Sequence, residues 1–312
     1  MTNQQKCFSI VVPVYQNEQN LPTTIPTLLA LSDKLEGASL ELIFVDDGST
    51  DRSLDILREW CDKHPESIRV VKLTRNFGQI AAIQAGLRET RGDHVGIISA
   101  DLQDPPELLL EMWDTCAKGH KLVIAERNSR DDGGMVSSFF WYLVSKFALP
   151  GYPRGGFDCC VLDRQIVSEL NRFHEKNTHI FPLIFSLGYR CTSIPYRRRR
   201  RTEGRTQWTL GKKLKLFLDT FIGFSYLPIR SISLLGALVS FSSLMYGAFI
   251  AISYFAFGNQ YTGWTTLAVL SSVLGGLILV TLGIVGEYLW RILDAVRPRP
   301  PYSVDERFPK CD

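Results

Sequence analysis

Between residues 231 and 286 the chain has no Asp, Glu, Lys, Arg or His. That absence excludes an ordinary solvated surface for the segment, since such surfaces carry charged side chains. The uncharged region divides at residues 258–263 into two stretches, 231–257 and 264–286. Each has the length, about 20 apolar residues, that a helix needs to cross a hydrocarbon core. Two spans are therefore expected. Also missing is any Cys-x-x-Cys pair: the seven cysteines stand at 7, 61, 116, 159, 160, 191 and 311. An odd count without paired spacing reads as free thiols in a reducing compartment, with no zinc site. The five histidines show no metal-ligand spacing. Neither Gly-x-x-x-x-Gly-Lys-Ser/Thr nor Gly-x-Gly-x-x-Gly occurs, which removes P-loop kinases and dinucleotide-dependent oxidoreductases. A net charge of +3 decides little and gives no reason to expect a nucleic-acid partner.

Basic residues cluster outside the expected spans, at 197–201, 212, 213, 215 and 230 before them and at 291, 297 and 299 after them, while the connecting turn has none. The positive-inside rule then puts both flanks in the cytoplasm. Residues 1–7 are polar and the apolar run from Phe8 is broken at Pro13, so no signal peptide is expected. The expected location is an inner (plasma) membrane, crossed twice, with a cytoplasmic main domain and both termini cytoplasmic.

Through the first 126 residues, short Val- and Ile-rich runs alternate with helical patterns, the pattern of a parallel sheet with crossover helices. Strands are expected at 8–14, 40–45, 68–73, 94–99 and 122–125. Residues 127–210 are less regular, with a helical pattern near 136–148, and are read as the acceptor half. Leu214, Phe217, Leu218, Phe221 and Ile222 recur at helical spacing beside three lysines, which suits an amphipathic helix along lipid headgroups or a helix packed on the main domain. The division expected is 1–208, an α/β catalytic domain; 209–228, an amphipathic helix; 229–290, a two-helix transmembrane hairpin; and 291–312, a C-terminal tail.

In an open parallel sheet, ligands bind beyond the carboxyl ends of the strands. Asp46 and Asp47 end one expected strand, and Asp101, Gln103 and Asp104 follow another. Oxygen donors from two loops could converge there on a hard divalent cation, Mg²⁺ or Mn²⁺, completed by diphosphate oxygens and water. Read blandly, Asp-Gly-Ser is a turn and Asp-Pro-Pro a helix start. Arg201 and Arg205, around Gly204, are chosen to grip phosphate, because guanidinium binds it through paired donors. The rest of the arginine run, residues 197–200, is assigned to anionic lipid heads and topology.

The motifs Val-Val-Pro-Val-Tyr-x-Asn-Glu, Val-Asp-Asp-Gly-Ser-Thr-Asp, Thr-Arg-Asn-Phe-Gly-Gln and Ala-Asp-Leu-Gln-Asp-Pro-Pro-Glu occur in this order. Together they resemble the family 2 glycosyltransferases of GT-A fold. Within that family the chain is similar to polyprenyl-phosphate glycosyltransferases, the group of dolichol-phosphate mannose synthase and bacterial undecaprenyl-phosphate sugar transferases. Arg201-x-x-Gly204, Phe224-Ser225-x-x-Pro228 and Gly286-Glu287-Tyr288-Leu289-x-Arg291 extend the resemblance over nearly the whole chain.

The resemblance implies that Pro13, Tyr15, Glu18, Asp46, Asp47, Asn76, Gly78, Gln79 and Asp101 line the nucleotide-sugar site, with Asp46 at the base or ribose. It implies a metal on Asp101 and Gln103, and Asp158 at the family's proposed catalytic base, although the local order here is Gly-Phe-Asp-Cys. A phosphate monoester has a second pKa of about 6, so the acceptor needs no strong base. Asp158 would then orient a sugar hydroxyl or the acceptor. The implied reaction transfers one sugar from a nucleotide-diphosphate donor, UDP preferred over GDP, to undecaprenyl or dolichyl phosphate, with inversion. A homo-oligomer and a flippase partner are compatible with the sequence. Two rival readings are a processive polysaccharide synthase, whose Gln-x-x-Arg-Trp motif is absent, and a catalytically silent membrane scaffold.

Overall fold

The computed structural model of the chain describes residues 6–35, 37–127, 142, 144–153, 155–173, 179–198, 227–257, 263–297 and 300–309. Two compact units emerge, one from residues 1–219 with 298–312, the other from 220–297.

The first unit is built on an eight-stranded mixed sheet in the order β7-β5-β6-β4-β1-β2-β3-β8. Its centre is β1 (Lys6–Val14), parallel to β2 (Ala38–Asp46) and to β4 (His94–Ile97), with β2 parallel to β3 (Ile68–Leu73). In β1 and β2 both faces are covered, so the strands read as nearly unbroken apolar runs: Ile10, Val11, Val12, Leu42, Ile43, Phe44 and Val45 are all fully buried. Helices α1 (Leu21–Leu29), α2 (Ser53–Lys63), α3 (Gln79–Glu89) and α4 (Glu107–Ala117) make the crossovers. Gly86 lets α3 lie hard against the sheet, since a Cβ there would fall 2.4 Å from Val11 Cγ1.

Beyond β4 the topology departs from simple alternation. β5 (Leu122–Arg127) does not pair with β4; β6 (Cys160–Asp163) runs antiparallel between them. Helix α5 (Arg164–Leu170) starts on Asp163, whose carboxylate accepts from the Gln165 amide at 2.8 Å. Helix α6 (Ile180–Ser186) follows, and β7 (Cys191–Tyr196) joins the far edge parallel to β5. The expected strands 94–99 and 122–125 thus end two residues early and two residues late. Of the helical pattern near 136–148, residues 144–148 form a short π-helix and 136–141 lie outside the described residues.

The tail expected from 291 onward holds the eighth strand. After a long helix ends at Val296, β8 (Val304–Phe308) pairs antiparallel with β3 and closes that edge. Lys72 bonds Asp305 at 2.5 Å, Arg58 pairs with Glu306 at 3.1 Å, and the Arg58 guanidinium lies over the Phe308 ring at 4.5 Å.

The second unit contains α7 (Leu227–Phe257), 31 residues, and α8 (Trp264–Val296), 33 residues. Among the described residues one stretch, Val273–Trp290, is long and apolar enough to cross a membrane. In α7 the comparable apolar piece, Arg230–Val239, is shorter. Large apolar side chains lie exposed along both helices, including Leu234, Phe241, Phe249, Leu279 and Leu282, whereas the first unit exposes only Tyr142 of this kind among the described residues. The amphipathic helix expected at 209–228 lies outside the described residues apart from its last two.

Candidate active site

The carboxyl ends of β1 and β2 are level, with Val14 opposite Asp46, and the two loops that follow are stitched together. The Gln16 amide donates to Ser49 Oγ (3.0 Å), the Asn17 amide to Ser53 Oγ (2.9 Å) and the Glu18 amide to Asp51 (3.2 Å), while Glu18 accepts from the Arg52 amide (3.0 Å). Gln16 takes a positive φ of 52° to make this turn. Pro13, Tyr15 and Glu18 are half-buried along the seam.

Asp46 is fully buried and faces the Ser49 amide at 3.3 and 3.4 Å. Asp47, 3 % exposed, accepts from the amides of Phe77 (2.7 Å) and Gly78 (2.8 Å), buckling the loop after β2 to the loop after β3. Burial raises both carboxyls above their ordinary range, opposed by these hydrogen bonds. Gly48, directly after Asp47, is required where this loop meets the one after β3: its φ is +67°, and a Cβ would lie 2.5 Å from the Arg75 carbonyl carbon. Asn76 and Gln79 are exposed, with Gly78 at the start of α3.

After β4 comes the Asp-x-Gln loop. Asp101 accepts from the Gln103 amide (3.3 Å), and Leu102 between them is held at φ 47°. A leucine in the left-handed region is uncommon and costs of order 1–3 kcal/mol, the kind of strain that collects at functional loops. Gln103 and Asp104 are buried.

Sheet register brings Asp158 to the same place. β6 is antiparallel to β4 with Ile97 opposite Cys160, so residue 158, just before β6, falls beside the start of the loop after β4. β5 pairs with β6 at Ile124–Cys160, and the Ala125 amide donates to the Cys159 carbonyl, which carries Arg127 alongside Asp158. In β7, Tyr196 lies opposite Arg127. The result is a cluster that sequence reasoning did not find. Arg127 Nη2 donates to Asp158, Arg127 Nε to Tyr196 Oη (3.3 Å), and Tyr196 Oη to Asp104. Arg198 lies 3.7 Å from Asp104 and 4.0 Å from Asp158.

Asp104 is fully buried, and desolvation raises its carboxyl despite the Tyr196 hydroxyl. Burial, reinforced by Asp104, pushes the Tyr196 phenol far above its ordinary value, so it remains a donor at neutral pH. Arg198, assigned on sequence to lipid heads, instead faces these acids, while Arg197 points to solvent. The alternation along an extended segment was the available signal. Arg201 and Arg205 lie outside the described residues.

A mainly parallel mixed sheet with acid-bearing loops gathered at its carboxyl edge, and an antiparallel strand inserted after the Asp-x-Gln loop, defines a transferase domain of the GT-A class. The chain belongs to glycosyl transferase family 2, whose pattern its residues 9–138 match, and it is a transferase enzyme. It is 35% identical over 305 residues to the uncharacterized glycosyltransferase YkcC of Bacillus subtilis, covering 96% of this chain and 94% of that protein. It is 30% identical to the bactoprenol glucosyl transferase of Shigella phage SfX (96% and 99% covered). To the undecaprenyl-phosphate 4-deoxy-4-formamido-L-arabinose transferase of Pectobacterium atrosepticum it is 32% identical (98% and 95% covered). Among solved structures, glucosyl-3-phosphoglycerate synthase from Mycobacterium tuberculosis, in complex with Mn²⁺, UDP-glucose and phosphoglyceric acid, has a similar fold. Its TM-score is 0.52 at 18% identity, over 70% of this chain and 79% of that one.

Proposed function

We propose that this protein transfers one sugar from a nucleotide-diphosphate donor, UDP by preference, to undecaprenyl phosphate at the cytoplasmic face of a membrane. The lipid-linked sugar would serve cell-surface glycan modification. The observation that carries the reading is end-to-end likeness, over both units, to relatives named for transfer involving bactoprenol and undecaprenyl phosphate. The exposed apolar side chains of α7 and α8 support a membrane seat. Connectivity supports two crossings: the chain leaves the first unit before α7 and returns after α8 to add β8 to the same sheet, so both ends of the hairpin belong on one side.

The stitched loops after β1 and β2 form the wall for the nucleotide, with Asp46 facing base or ribose and Asn76 and Gln79 at the mouth. Asp101 and Gln103 offer adjacent hard oxygen donors, which suit Mg²⁺ or Mn²⁺. Among the described residues no group of three acidic, His or Cys side chains could hold a metal alone, so donor oxygens would complete the shell. Bound there, the cation would neutralise charge growing on the leaving diphosphate. The Arg127–Asp158 pair lies at the acceptor end, where Asp158 would orient the attacking phosphate and Arg127 would balance its charge. Inversion follows from in-line attack on the anomeric carbon, with catalysis coming from positioning and electrostatics.

The test is transfer of radiolabelled sugar from a panel of UDP- and GDP-sugars to undecaprenyl phosphate in detergent, with Mg²⁺ or Mn²⁺, for the parent and Asp101→Ala. Product from one donor, lost on substitution, would carry the reading. No transfer together with no metal-dependent nucleotide binding would replace it with a silent scaffold.

A further inference from the structure

The Asp-x-Gln loop and Asp158 come from segments more than fifty residues apart; Arg198 lies within 4.0 Å of both Asp104 and Asp158, and the Tyr196 hydroxyl joins them through hydrogen bonds by way of Arg127. Tyr196 has a single hydroxyl proton, and it is donated in a hydrogen bond to Asp104. The phenol oxygen is then left as an acceptor, and Arg127 Nε fills it at 3.3 Å. With Nε turned back towards Tyr196, the planar guanidinium has its orientation fixed, and Nη2 reaches Asp158. Asp104 is the residue directly after Gln103, so the order Gln103, Asp104, Tyr196, Arg127, Asp158 is continuous from the metal-binding end to the acceptor end.

We propose that Tyr196 is a positioning residue, whose hydroxyl aims Arg127 and so fixes Asp158 relative to the Asp-x-Gln loop. This rests on the transferase reading above. Both hydrogen bonds of the hydroxyl are made inside the protein, to Asp104 and from Arg127, so its effect on Asp158 would pass through Arg127. A purely structural role for Tyr196 would lie in its ring, which is buried at the end of β7. Phenylalanine retains that ring, so Tyr196→Phe isolates the hydroxyl.

The experiment compares full-length parent, Tyr196→Phe, Arg127→Lys and the double variant in sugar transfer to undecaprenyl phosphate, with kcat and the donor KM measured separately. Lysine keeps the charge of Arg127 but has no planar guanidinium with an Nε–H to donate to Tyr196 while a second nitrogen donates to Asp158. The expected result is a roughly tenfold fall in kcat for Tyr196→Phe with the donor KM within about twofold of the parent, and a double variant no slower than Arg127→Lys alone, since residues acting as one unit are not additive. Parent-like kcat in Tyr196→Phe would overturn the proposal, as would losses that multiply in the double variant or a matching rise in donor KM. A parent that transfers no sugar from any donor would sink the transferase reading, and the proposal with it; an active parent with an unaffected Tyr196→Phe sinks the proposal alone.

Discussion

Asp47→Ala would remove the acceptor for two backbone amides at once, those of Phe77 at 2.7 Å and Gly78 at 2.8 Å. Hydrogen bonds to a charged group contribute about 1.5–3 kcal/mol each, and a donor left unsatisfied in the interior costs about 1–3 kcal/mol. Two effects reduce the sum. Phe77 and Gly78 are half-buried, so water can replace part of what is lost, and burial already raises the Asp47 carboxyl, so its ionised form is held at some cost. A net loss of about 2 kcal/mol is expected for the latch. In a unit of this size each kcal/mol moves the melting point by roughly 2–4 °C, so a fall of about 4–8 °C is expected. A thiol-reactive dye reads it in detergent, because all seven cysteines lie outside residues 220–297 and Cys61, Cys116, Cys159 and Cys160 are buried until the first unit opens. Nucleotide affinity, measured by calorimetry, should fall as well, since residues 76–78 border the proposed nucleotide site and lose their anchor. Asp47→Asn keeps one accepting oxygen and should fall between. If Asp47→Ala melts with the parent while affinity drops, Asp47 contacts the nucleotide directly and the latch argument is refuted.

Asp46→Asn should raise the melting point at pH 7 while weakening donor binding. The folded pKa of Asp46 is raised by burial, so its ionisation destabilises the fold: the penalty is absent below the unfolded value of about 3.8, builds as pH rises through the folded value, and is complete above it. The gain from asparagine should therefore vanish towards pH 4, and a variant less stable than the parent at every pH would contradict the assignment. Gly48→Ala should cost about 1–2 kcal/mol for the left-handed backbone alone, and the collision with Arg75 should raise the donor KM severalfold; steady-state kinetics with parent-like KM would show that the two loops part without consequence. A chain ended after Ser303 loses β8 and bares the edge of β3. Hydrogen exchange at residues 70–73 should quicken, and unchanged protection there would mean that β3 does not depend on β8 for its edge.

What the sequence made legible was what is contiguous in it. β1 and β2 stand out because parallel strands covered on both faces are apolar almost throughout, β3 because Ile68, Val70, Val71 and Leu73 make a short apolar run around Arg69 and Lys72, and the acidic motifs stand out because each sits directly after a buried run. β8 hides for the opposite reason. As an edge strand it carries Asp305, Glu306 and Arg307, and it is held by ion pairs with Arg58, Lys72 and Glu89 rather than by an apolar face. β6 has only four residues, and β7 contains Pro195, which a central strand would not tolerate.

The cluster of Asp104, Arg127, Asp158 and Tyr196 was hidden by this same local irregularity. Arg127 and Tyr196 are 69 residues apart, and Tyr196 and Asp104 are 92 apart. Their meeting depends on β7 lying parallel to β5 in one register, and a slip of one residue would turn Tyr196 to the opposite face of the sheet. Reading β5 as ending at 125 left Arg127 in a loop, and reading residues 197–200 as one block hid the difference between Arg197 and Arg198. The acidic loops after β2 and β4 are therefore written in motifs, and the cluster around Arg127 and Asp158 in strand register. A substitution that shifts β7 against β5, such as one that enlarges the buried Ile194, should on this argument impair transfer with little effect on donor affinity.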